Sequence, residues 1–310
     1  MKVVVTGGAG FIGANLCRRL LATDGIREVV AVDDLSSGFA ANLDGVDAQL
    51  VVGSVLDGPL LDRALAGASS VVHLAAVPSV PRSIADPVRS HDANATGTLQ
   101  VLEAARRAGQ VPHVVVASSS SVYGANPAIP KVESLRPMPM SPYAVSKLAA
   151  ECYALSHGAV YGMDTLAFRF FNVFGPLQAA GHAYAAVVPA FVDAALASRP
   201  LTVHGDGKQT RDFTFIDTVT AVITSAVLHR TSSEDPVNLA YGSRTSLLEL
   251  IDLLGEVLGA PPAVDHVDPR PGDVRDSQAD SSRVAALFPD VTPVPLRDGL
   301  QRTVDWFRTL

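Results

Sequence analysis

Residues 1–21 read MKVVVTGGAGFIGANLCRRLL, and this stretch decides the fold. The first six residues predict a short buried strand. A G-x-x-G-x-x-G turn with Gly7, Gly10 and Gly13 follows and leads into a helix predicted over 14–21. The first glycine permits a tight bend, the second lets the backbone approach a pyrophosphate, and the third lets the helix pack on the strand. Since a helix N-terminus attracts phosphate charge, the stretch predicts a dinucleotide-binding unit.

The next predicted strand, Glu28–Val32, is followed by Asp33, twenty residues after Gly13. A carboxylate at a strand end can accept both ribose hydroxyls of NAD, and it repels the 2′-phosphate of NADP. The residues that follow, 34–38, contain no Arg or Lys that could pair with this phosphate. The sequence therefore predicts NAD as the cofactor. The alternative is a glycine turn with a capping aspartate.

A tyrosine and a lysine stand four residues apart in the stretch 140–147, MSPYAVSK. Ser141 and Pro142 predict a helix start, so Tyr143 and Lys147 share one face of that helix. A tyrosine with a pKa near ~10 is a poor base at neutral pH, and a neighbouring ammonium favours the phenolate. The pair predicts acid/base chemistry, although the same spacing also occurs on ordinary helix surfaces.

The alternation of strands and helices predicts an α/β fold with a doubly wound parallel (Rossmann) sheet. Predicted strands lie at 48–52, 70–74, 111–118 and 165–170, and predicted helices at 60–66, 93–108 and 143–161. Beyond residue 170, proline and glycine become frequent, which indicates a smaller α/β substrate-binding lobe. The predicted sheet domain comprises residues 1–170 and about 212–240, and the smaller lobe comprises about 171–211 and 241–310.

Composition and motif spacing exclude several classes of protein. The chain has 310 residues, of which 48% are hydrophobic, and this length suffices for a large core. Its net charge of −7 and lack of a basic run argue against nucleic acid as a partner. Cys17 and Cys152 are too few for a disulfide framework, and neither they nor the eight histidines have metal-ligand spacing. Without an apolar run of ~18 residues or room for a signal peptide, we expect a cytoplasmic protein with no membrane contact.

Further stretches resemble the extended short-chain dehydrogenase/reductase family from Met1 to Trp306. They are His73-Leu-Ala-Ala76, Asn94-Ala-Thr-Gly-Thr98, the run SSSSVYG at 118–124, the run RFFNVFG at 169–175, and GDG at 205–207 with TRDF at 210–213. In this family the serine cluster after the fifth strand supplies a third catalytic group, and its alignment with VYG points to Ser119. The resemblance thus implies a catalytic set of Ser119, Tyr143 and Lys147, in which Lys147 lowers the pKa of Tyr143 and holds the nicotinamide ribose.

The resemblance also implies two sets of ligand contacts. Those with NAD are Gly7, Gly10, Phe11, Ile12, Gly13, Asp33, Asp34, Leu35, Ser36, Gly38, Ser54, Val55, Leu74, Ala75, Ala76, Asn94, Tyr143, Lys147, Phe170 and Val173. Those with substrate are Ser79, Arg82, Ser119, Ser121, Tyr143, Asn172, Ala186, Val187, Val203, His204, Arg211, Arg270, Asp273 and Ser277. Arg211 and Arg270 match the family's diphosphate-binding arginines. Arginine suits this role because a guanidinium can bind phosphate in a bidentate manner. For either arginine alone, a surface salt bridge is the alternative.

The positions just before Val122 distinguish reactions within the family. Dehydratases and decarboxylases of nucleotide sugars usually carry an acid there, whereas this chain has Ser120 and Ser121. Because a dehydratase must protonate a departing hydroxyl, two serines favour a UDP-hexose 4-epimerase that works through a 4-keto intermediate. The stretches 181–189, 131–133 and 275–277 resemble the branch that accepts N-acetylated sugars, UDP-GlcNAc and UDP-GalNAc. Ser277 stands where epimerases restricted to plain hexoses, UDP-Glc and UDP-Gal, carry a tyrosine.

Several alternatives stay open. Within the same chemistry they are a UDP-glucuronate 4-epimerase, or a decarboxylase, dehydratase or 4-ketosugar reductase. Outside it, a non-catalytic NAD-bound regulatory protein would normally have lost part of the Ser/Tyr/Lys set. The helices predicted at 93–108 and 143–161 also resemble those that pair across a family dimer interface, so we expect a homodimer. Apolar faces that belong only to the core would explain them equally well.

Overall fold

The computed structural model of the chain describes residues 1–181, 185–268 and 275–310. Within them the strands are, in chain order, β1 (Lys2–Thr6), β2 (Glu28–Asp33), β3 (Gln49–Val52), β4 (Ser70–His73), β5 (His113–Ser119), β6 (Thr165–Phe170), β7 (Asn172–Phe174), β8 (Leu201–His204), β9 (Thr210–Arg211), β10 (Phe213–Phe215), β11 (Val237–Leu239), β12 (Thr245–Ser246) and β13 (Val264–Val267). The helices are α1 (Phe11–Leu21), α2 (Gly58–Leu65), α3 (Val80–Ala85), α4 (Pro87–His91), α5 (Gly97–Arg107), α6 (Pro142–Tyr161), α7 (Val187–Leu196), α8 (Ile216–His229), α9 (Leu247–Leu258), α10 (Ser282–Leu287) and α11 (Leu296–Phe307).

Seven strands form one sheet in the order β11-β6-β5-β4-β1-β2-β3. Every pairing in this sheet is parallel. The chain builds β1, β2 and β3 outward in one direction and then returns to the other side of β1 to place β4. This order confirms the predicted doubly wound parallel sheet. It also puts the reversal between β1 and β4, the point where such sheets bind ligands at their carboxyl ends.

Helices cover both faces of the sheet, because successive side chains of a strand point to opposite sides. Val5 belongs to a core on one face together with Leu16 of α1 and Val219 of α8. Val4, its neighbour in β1, belongs to a core on the other face that includes Leu61 of α2. Burial of one such aliphatic side chain contributes about 1.5–3 kcal/mol. The carboxyl ends of the strands are therefore held in place by well-packed cores on both faces of the sheet.

A further core is formed mainly by elements that follow β6 in the chain. It gathers α7, α9 and α11 around the short pairs β8–β13 and β7–β10. The rings of Phe174 and Phe213 meet edge to face in this core, 6.2 Å apart between centroids. The sequence analysis assigned the stretch 213–239 to the main sheet. Only Val237–Leu239 is a strand of that sheet, because β10 pairs with β7 instead. The division of the chain into two domains stays a prediction.

Two helices differ from the sequence-based expectation. The helix after the glycine turn begins at Phe11 rather than at residue 14, directly after an extended Gly10. The helix predicted at 93–108 continues from α4 through a wider π-type turn at Asp92–Thr96 into α5. A Cβ on Gly97 would lie 2.8 Å from the Val55 side chain, so this wider turn brings the helix close to the loop after β3.

The described residues contain neither a helix that could span a membrane nor a cluster of metal-ligating side chains. None of the helices there is both long and apolar enough to cross a membrane. The same residues contain no group of His, Cys, Asp and Glu side chains that could hold a metal ion. Cys17 is a buried free thiol and Cys152 an exposed one.

Candidate active site

A cleft of about 1670 Å³ opens at the carboxyl ends of the sheet strands and extends to α7 and β8. Its walls include the glycine turn, the ends of β2, β4 and β5, the start of α6, and parts of α7 and β8. Pockets for one drug-sized ligand usually measure about 300–1,000 Å³. The cleft is therefore large enough for two ligands that lie next to each other.

The glycine turn requires glycine for steric reasons at two positions. Gly7 has a φ of +70°, and a Cβ there would lie 2.7 Å from the Ala75 nitrogen. A Cβ on Gly13 would lie 2.1 Å from the Gly7 carbonyl oxygen. Gly10 caps α1 without a side chain, and the first turn of α1 lines the cleft. The N–H groups of that turn can therefore receive a phosphate.

Asp33 lies at the end of β2 on the cleft wall, with a side chain that is only 7% exposed. Its Oδ2 accepts a hydrogen bond from the Ala9 N–H at 3.0 Å, and its Oδ1 accepts one from the Leu35 N–H at 2.8 Å. Burial raises the pKa of Asp33, and hydrogen bonds from backbone N–H groups, that of Leu35 first, oppose this rise. A carboxylate offers about four acceptor positions, so Asp33 can still accept a ribose hydroxyl. The remaining acceptor capacity of Asp33 fits NAD.

Ser119, Tyr143 and Lys147 come together where the end of β5 meets the start of α6. The Ser141 side chain caps α6 by accepting the Ala144 N–H at 3.1 Å, which places Tyr143 in the first helical turn. The Tyr143 side chain interacts with that of Ser119. All three residues line the cleft. The structure thus assembles the predicted catalytic set from two distant parts of the chain.

Burial dominates the electrostatics of this set. It raises the pKa of Tyr143, and the interaction with Ser119 pulls that pKa back toward its usual value. Burial also lowers the pKa of Lys147 to about 8. The sequence-based expectation that Lys147 depresses the tyrosine pKa is therefore not met. The physical reason is burial of the Tyr143 phenol. The Lys147 Nζ donates to the Ala117 carbonyl at 2.8 Å.

A buried ion pair between α6 and β6, close to the predicted catalytic residues, was not anticipated from the sequence. Arg169 on β6 makes two hydrogen bonds with Glu151 on α6, at 2.6 and 2.9 Å, and both side chains are 3% exposed. The Ser118 hydroxyl donates to the same carboxylate at 2.7 Å. The Arg169 guanidinium also lies 4.7 Å from the centre of the Tyr123 ring. These contacts tie the end of β5 to the helix that carries Tyr143 and Lys147.

Most of the predicted NAD contacts lie on the cleft wall: Gly7, Gly10, Phe11, Ile12, Gly13, Asp33, Asp34, Ser36, Ser54, Val55, Leu74, Ala75, Ala76, Phe170 and Val173, beside Tyr143 and Lys147. Leu35, Gly38 and Asn94 are absent from it. The Leu35 side chain packs on the sheet core, while a Cβ on Gly38 would lie 3.0 Å from Asp33 Oδ2. The Asn94 side chain is fully paired, since it bonds the Val77 backbone and donates to Ser146 Oγ at 2.9 Å.

The predicted substrate contacts are divided in the same way. Those on the cleft wall are Ser79, Arg82, Ser119, Tyr143, Asn172, Ala186, Val187, His204 and Arg211. Ser121 and Ser277 are not on it, and Val203 is fully buried in the core around β8. Alternation along β8 explains the last case, because His204 and Thr202 point to the opposite side from Val203. Arg270 and Asp273 lie outside the described residues.

Gln178 is a cleft-lining residue that the sequence analysis missed. Its amide donates to the Val173 carbonyl at 3.2 Å, while its buried Oε1 has no hydrogen-bond donor among the described residues. An unpaired buried acceptor at a cleft wall is suited to a ligand donor. Gln178 follows a Gly-Pro loop without periodicity, so only its polar character could have signalled this position.

Comparisons with known proteins give one consistent result. The model of the NAD dependent epimerase/dehydratase family matches residues 3–240. The UDP-glucose 4-epimerase of Mycolicibacterium smegmatis is 38% identical over 313 residues, which cover 99% of each protein.

Solved structures agree over the whole chain. The UDP-N-acetylglucosamine 4-epimerase from Methanobrevibacter ruminantium has a TM-score of 0.91 at 35% identity, with 99% of this chain and 98% of that chain covered. The UDP-glucuronic acid 4-epimerase from Bacillus cereus, solved in complex with UDP-glucuronic acid and NAD, has a TM-score of 0.89 at 30% identity, with 100% and 99% covered. These relatives share a reaction type and differ in the sugar.

Proposed function

The chain belongs to the NAD dependent epimerase/dehydratase family, and from this premise we propose that it is a UDP-sugar 4-epimerase that accepts UDP-GlcNAc and UDP-GalNAc alongside UDP-Glc and UDP-Gal. It is an NAD-dependent isomerase of nucleotide sugars. The observation that carries the proposal is the complete set of Ser119, Tyr143 and Lys147 at one cleft, with hydroxyls rather than acids at Ser120 and Ser121.

The side chains at the end of β5 can move one proton to and from a sugar hydroxyl. The Tyr143 phenolate takes the proton from the sugar O4, and Ser119, whose side chain interacts with that of Tyr143, steadies that oxygen. NAD, when bound, would supply a reversible acceptor for the hydride of sugar C4. Tyr143 then gives the proton back to O4. The donors in the first turn of α1, with Asp33, fix the dinucleotide in place.

The protein is expected to carry NAD, and not NADP, when it is purified. Asp33 can accept ribose hydroxyls and repels a 2′-phosphate. An enzyme that regenerates its own cofactor also gains nothing from cofactor exchange. The measurement is to denature the protein and identify the released nucleotide by mass spectrometry. Release of mainly NADP would contradict the assignment of Asp33.

The proposed tolerance of an N-acetyl group depends on Ser277. Its backbone N–H donates to the Thr210 carbonyl at 3.2 Å, next to Arg211 on the cleft wall. Serine is a short side chain, and epimerases restricted to plain hexoses carry a tyrosine at this position.

The exposed apolar side chains of α6, Val145 and Val160 among them, support the proposed homodimer.

Ser277→Tyr is expected to lower kcat/KM for the N-acetylated pair by at least about tenfold and to spare the plain hexoses, because a rigid clash acts on one substrate class. Ser277→Ala serves as the control and should leave kcat/KM unchanged for both the N-acetylated pair and the plain hexoses. An equal loss for both substrate classes would show that Ser277 does not set the substrate range.

The test of the proposed function is a panel assay. Purified protein is incubated with UDP-GlcNAc, UDP-Glc and UDP-glucuronate without added reductant, and the C4 epimers are resolved. We expect conversion of UDP-GlcNAc to UDP-GalNAc. Conversion of UDP-glucuronate alone would instead assign the chain to the reaction named for the Bacillus cereus relative. Stoichiometric consumption of NADH would indicate a reductase.

A further inference from the structure

Residues 275–280 form a short segment that runs between two distant parts of the chain, and we call it the bridging segment. On one side it pairs with Lys131. The Lys131 N–H donates to the Gln278 carbonyl at 2.8 Å, and the Asp280 N–H donates to the Lys131 carbonyl at 2.9 Å. These two bonds flank a parallel bridge between Lys131 and Ala279. The segment therefore docks as a strand would.

Thr210 holds the other side of the bridging segment. Its N–H donates to the Arg275 carbonyl at 3.0 Å, and its carbonyl accepts the Ser277 N–H at 3.2 Å. Its hydroxyl donates to Asp276 Oδ1 at 2.8 Å, and Arg244 contacts the same oxygen at 3.3 Å. One threonine thus fixes three consecutive residues of the segment, including the proposed determinant of substrate range.

The Asp212 carboxylate adds a buried anchor two residues further along. It is fully buried, and its Oδ2 accepts the Ala279 N–H at 3.0 Å while its Oδ1 accepts the Ser243 hydroxyl at 2.9 Å. Burial raises the pKa of Asp212 to about 6, against the pull of these donors. A buried carboxylate is tolerated only when it is hydrogen-bonded. Asp212 and the docked segment therefore stabilise each other.

The same stretch of chain also positions cleft-lining side chains. Arg211, between Thr210 and Asp212, lines the cleft and donates to the Thr210 carbonyl at 2.9 Å and to the Arg275 carbonyl at 3.4 Å. Asn172, also on the cleft wall, donates to the Asp212 carbonyl at 3.1 Å. The hydrogen bonds that dock the bridging segment are thus continuous with the proposed diphosphate-binding arginine.

We propose that Thr210 and Asp212 are positioning residues that hold the bridging segment against β9, the strand that carries Arg211 on the cleft wall. The inference rests on the proposed function, which places the diphosphate of a UDP-sugar at Arg211. Because Arg211 contacts both the cleft and the segment, nucleotide binding and segment docking strengthen each other by the same factor. Docking also fixes the main chain of Ser277.

The test compares hydrogen exchange with kinetics in the full-length protein. Thr210→Val keeps the shape of the side chain and removes the hydroxyl that binds Asp276. We expect it to speed amide exchange in 275–280 by about tenfold, to raise KM for the UDP-sugar by about tenfold and to leave kcat within about twofold. Thr309→Val, which removes an exposed bond to the Trp306 carbonyl, is the matched control. It should change none of these quantities.

A second variant and a ligand measurement make the result decisive. Asp212→Asn replaces two acceptor oxygens by one, so it should speed the same exchange with bound NAD unchanged. UDP should slow exchange in the segment of the unaltered protein, and this measurement needs no turnover. It therefore stays informative if the chain epimerises no UDP-sugar, an outcome that would count against the proposed function alone. Unchanged exchange in both variants, faster exchange with unchanged KM, or no effect of UDP would each overturn the inference.

Discussion

Tyr143→Phe is expected to lower kcat by on the order of 10²–10⁴, because it removes the hydroxyl that takes the proton from the sugar and leaves the ring in place. The fold and the bound NAD should be unchanged, since phenylalanine keeps the ring and only the interaction with Ser119 is lost. The measurement is kcat with saturating UDP-sugar, next to the nucleotide content of the same preparation.

The pH dependence provides an independent check of the same role. Burial raises the pKa of Tyr143, so the phenolate is the minor form at neutral pH and its share grows as pH rises. The unaltered enzyme should therefore become faster as the pH increases above neutrality, and Tyr143→Phe should lose this dependence. Tyr153→Phe, on the exposed side of the same helix, is the control. Near-normal kcat in Tyr143→Phe would rule out this tyrosine as the base.

Glu151→Ala is expected to destabilise the protein by about 3–5 kcal/mol, because it leaves the buried charge of Arg169 without its partner. It also removes the acceptor of the Ser118 hydroxyl, next to Ser119. The free energy of unfolding, measured with denaturant, gives the cost. Ser118 and Arg169 bind the same carboxylate, so the loss should exceed that of a single neutral hydrogen bond, about 1 kcal/mol.

Two matched variants separate this effect from a general loss of charge. Glu256→Ala removes an exposed partner that lies 3.8 Å from Arg297, and such surface pairs contribute about 0–1 kcal/mol. Replacing both Glu151 and Arg169 by methionine should recover much of the loss, because no buried charge is then left unpaired. A Glu151→Ala protein as stable as Glu256→Ala would contradict the ion pair's structural role.

The sequence predicted the parts of the fold and site that depend on local pattern. Apolar runs of four to six residues located the sheet strands, and the glycine turn located the start of α1 to within three residues. Asp33 was found because a carboxylate at this strand end has a specific chemical reason to be there. Likewise Ser141 and Pro142 signalled the helix start that places Tyr143.

The parts that the sequence did not predict depend on contacts between distant segments. Glu151 and Arg169 are each an ordinary charged residue in the sequence, and only packing of α6 on β6 makes them a buried pair. Asp212 is similar, since its partner Ala279 lies 67 residues away. Val203 illustrates a different limit, because a resemblance placed it at the substrate whereas strand alternation turns it into the core.

Incubation of the purified protein with UDP-GlcNAc in D₂O, without added NADH, tests the central claim most directly. The measurement is the NMR spectrum of the product at C4. Because the hydride removed from C4 returns to the same carbon, the account predicts UDP-GalNAc with ordinary hydrogen at C4 and no net change in the cofactor. Deuterium at C4, a requirement for reductant, or the absence of any C4 epimer from the whole panel of UDP-sugars would contradict it.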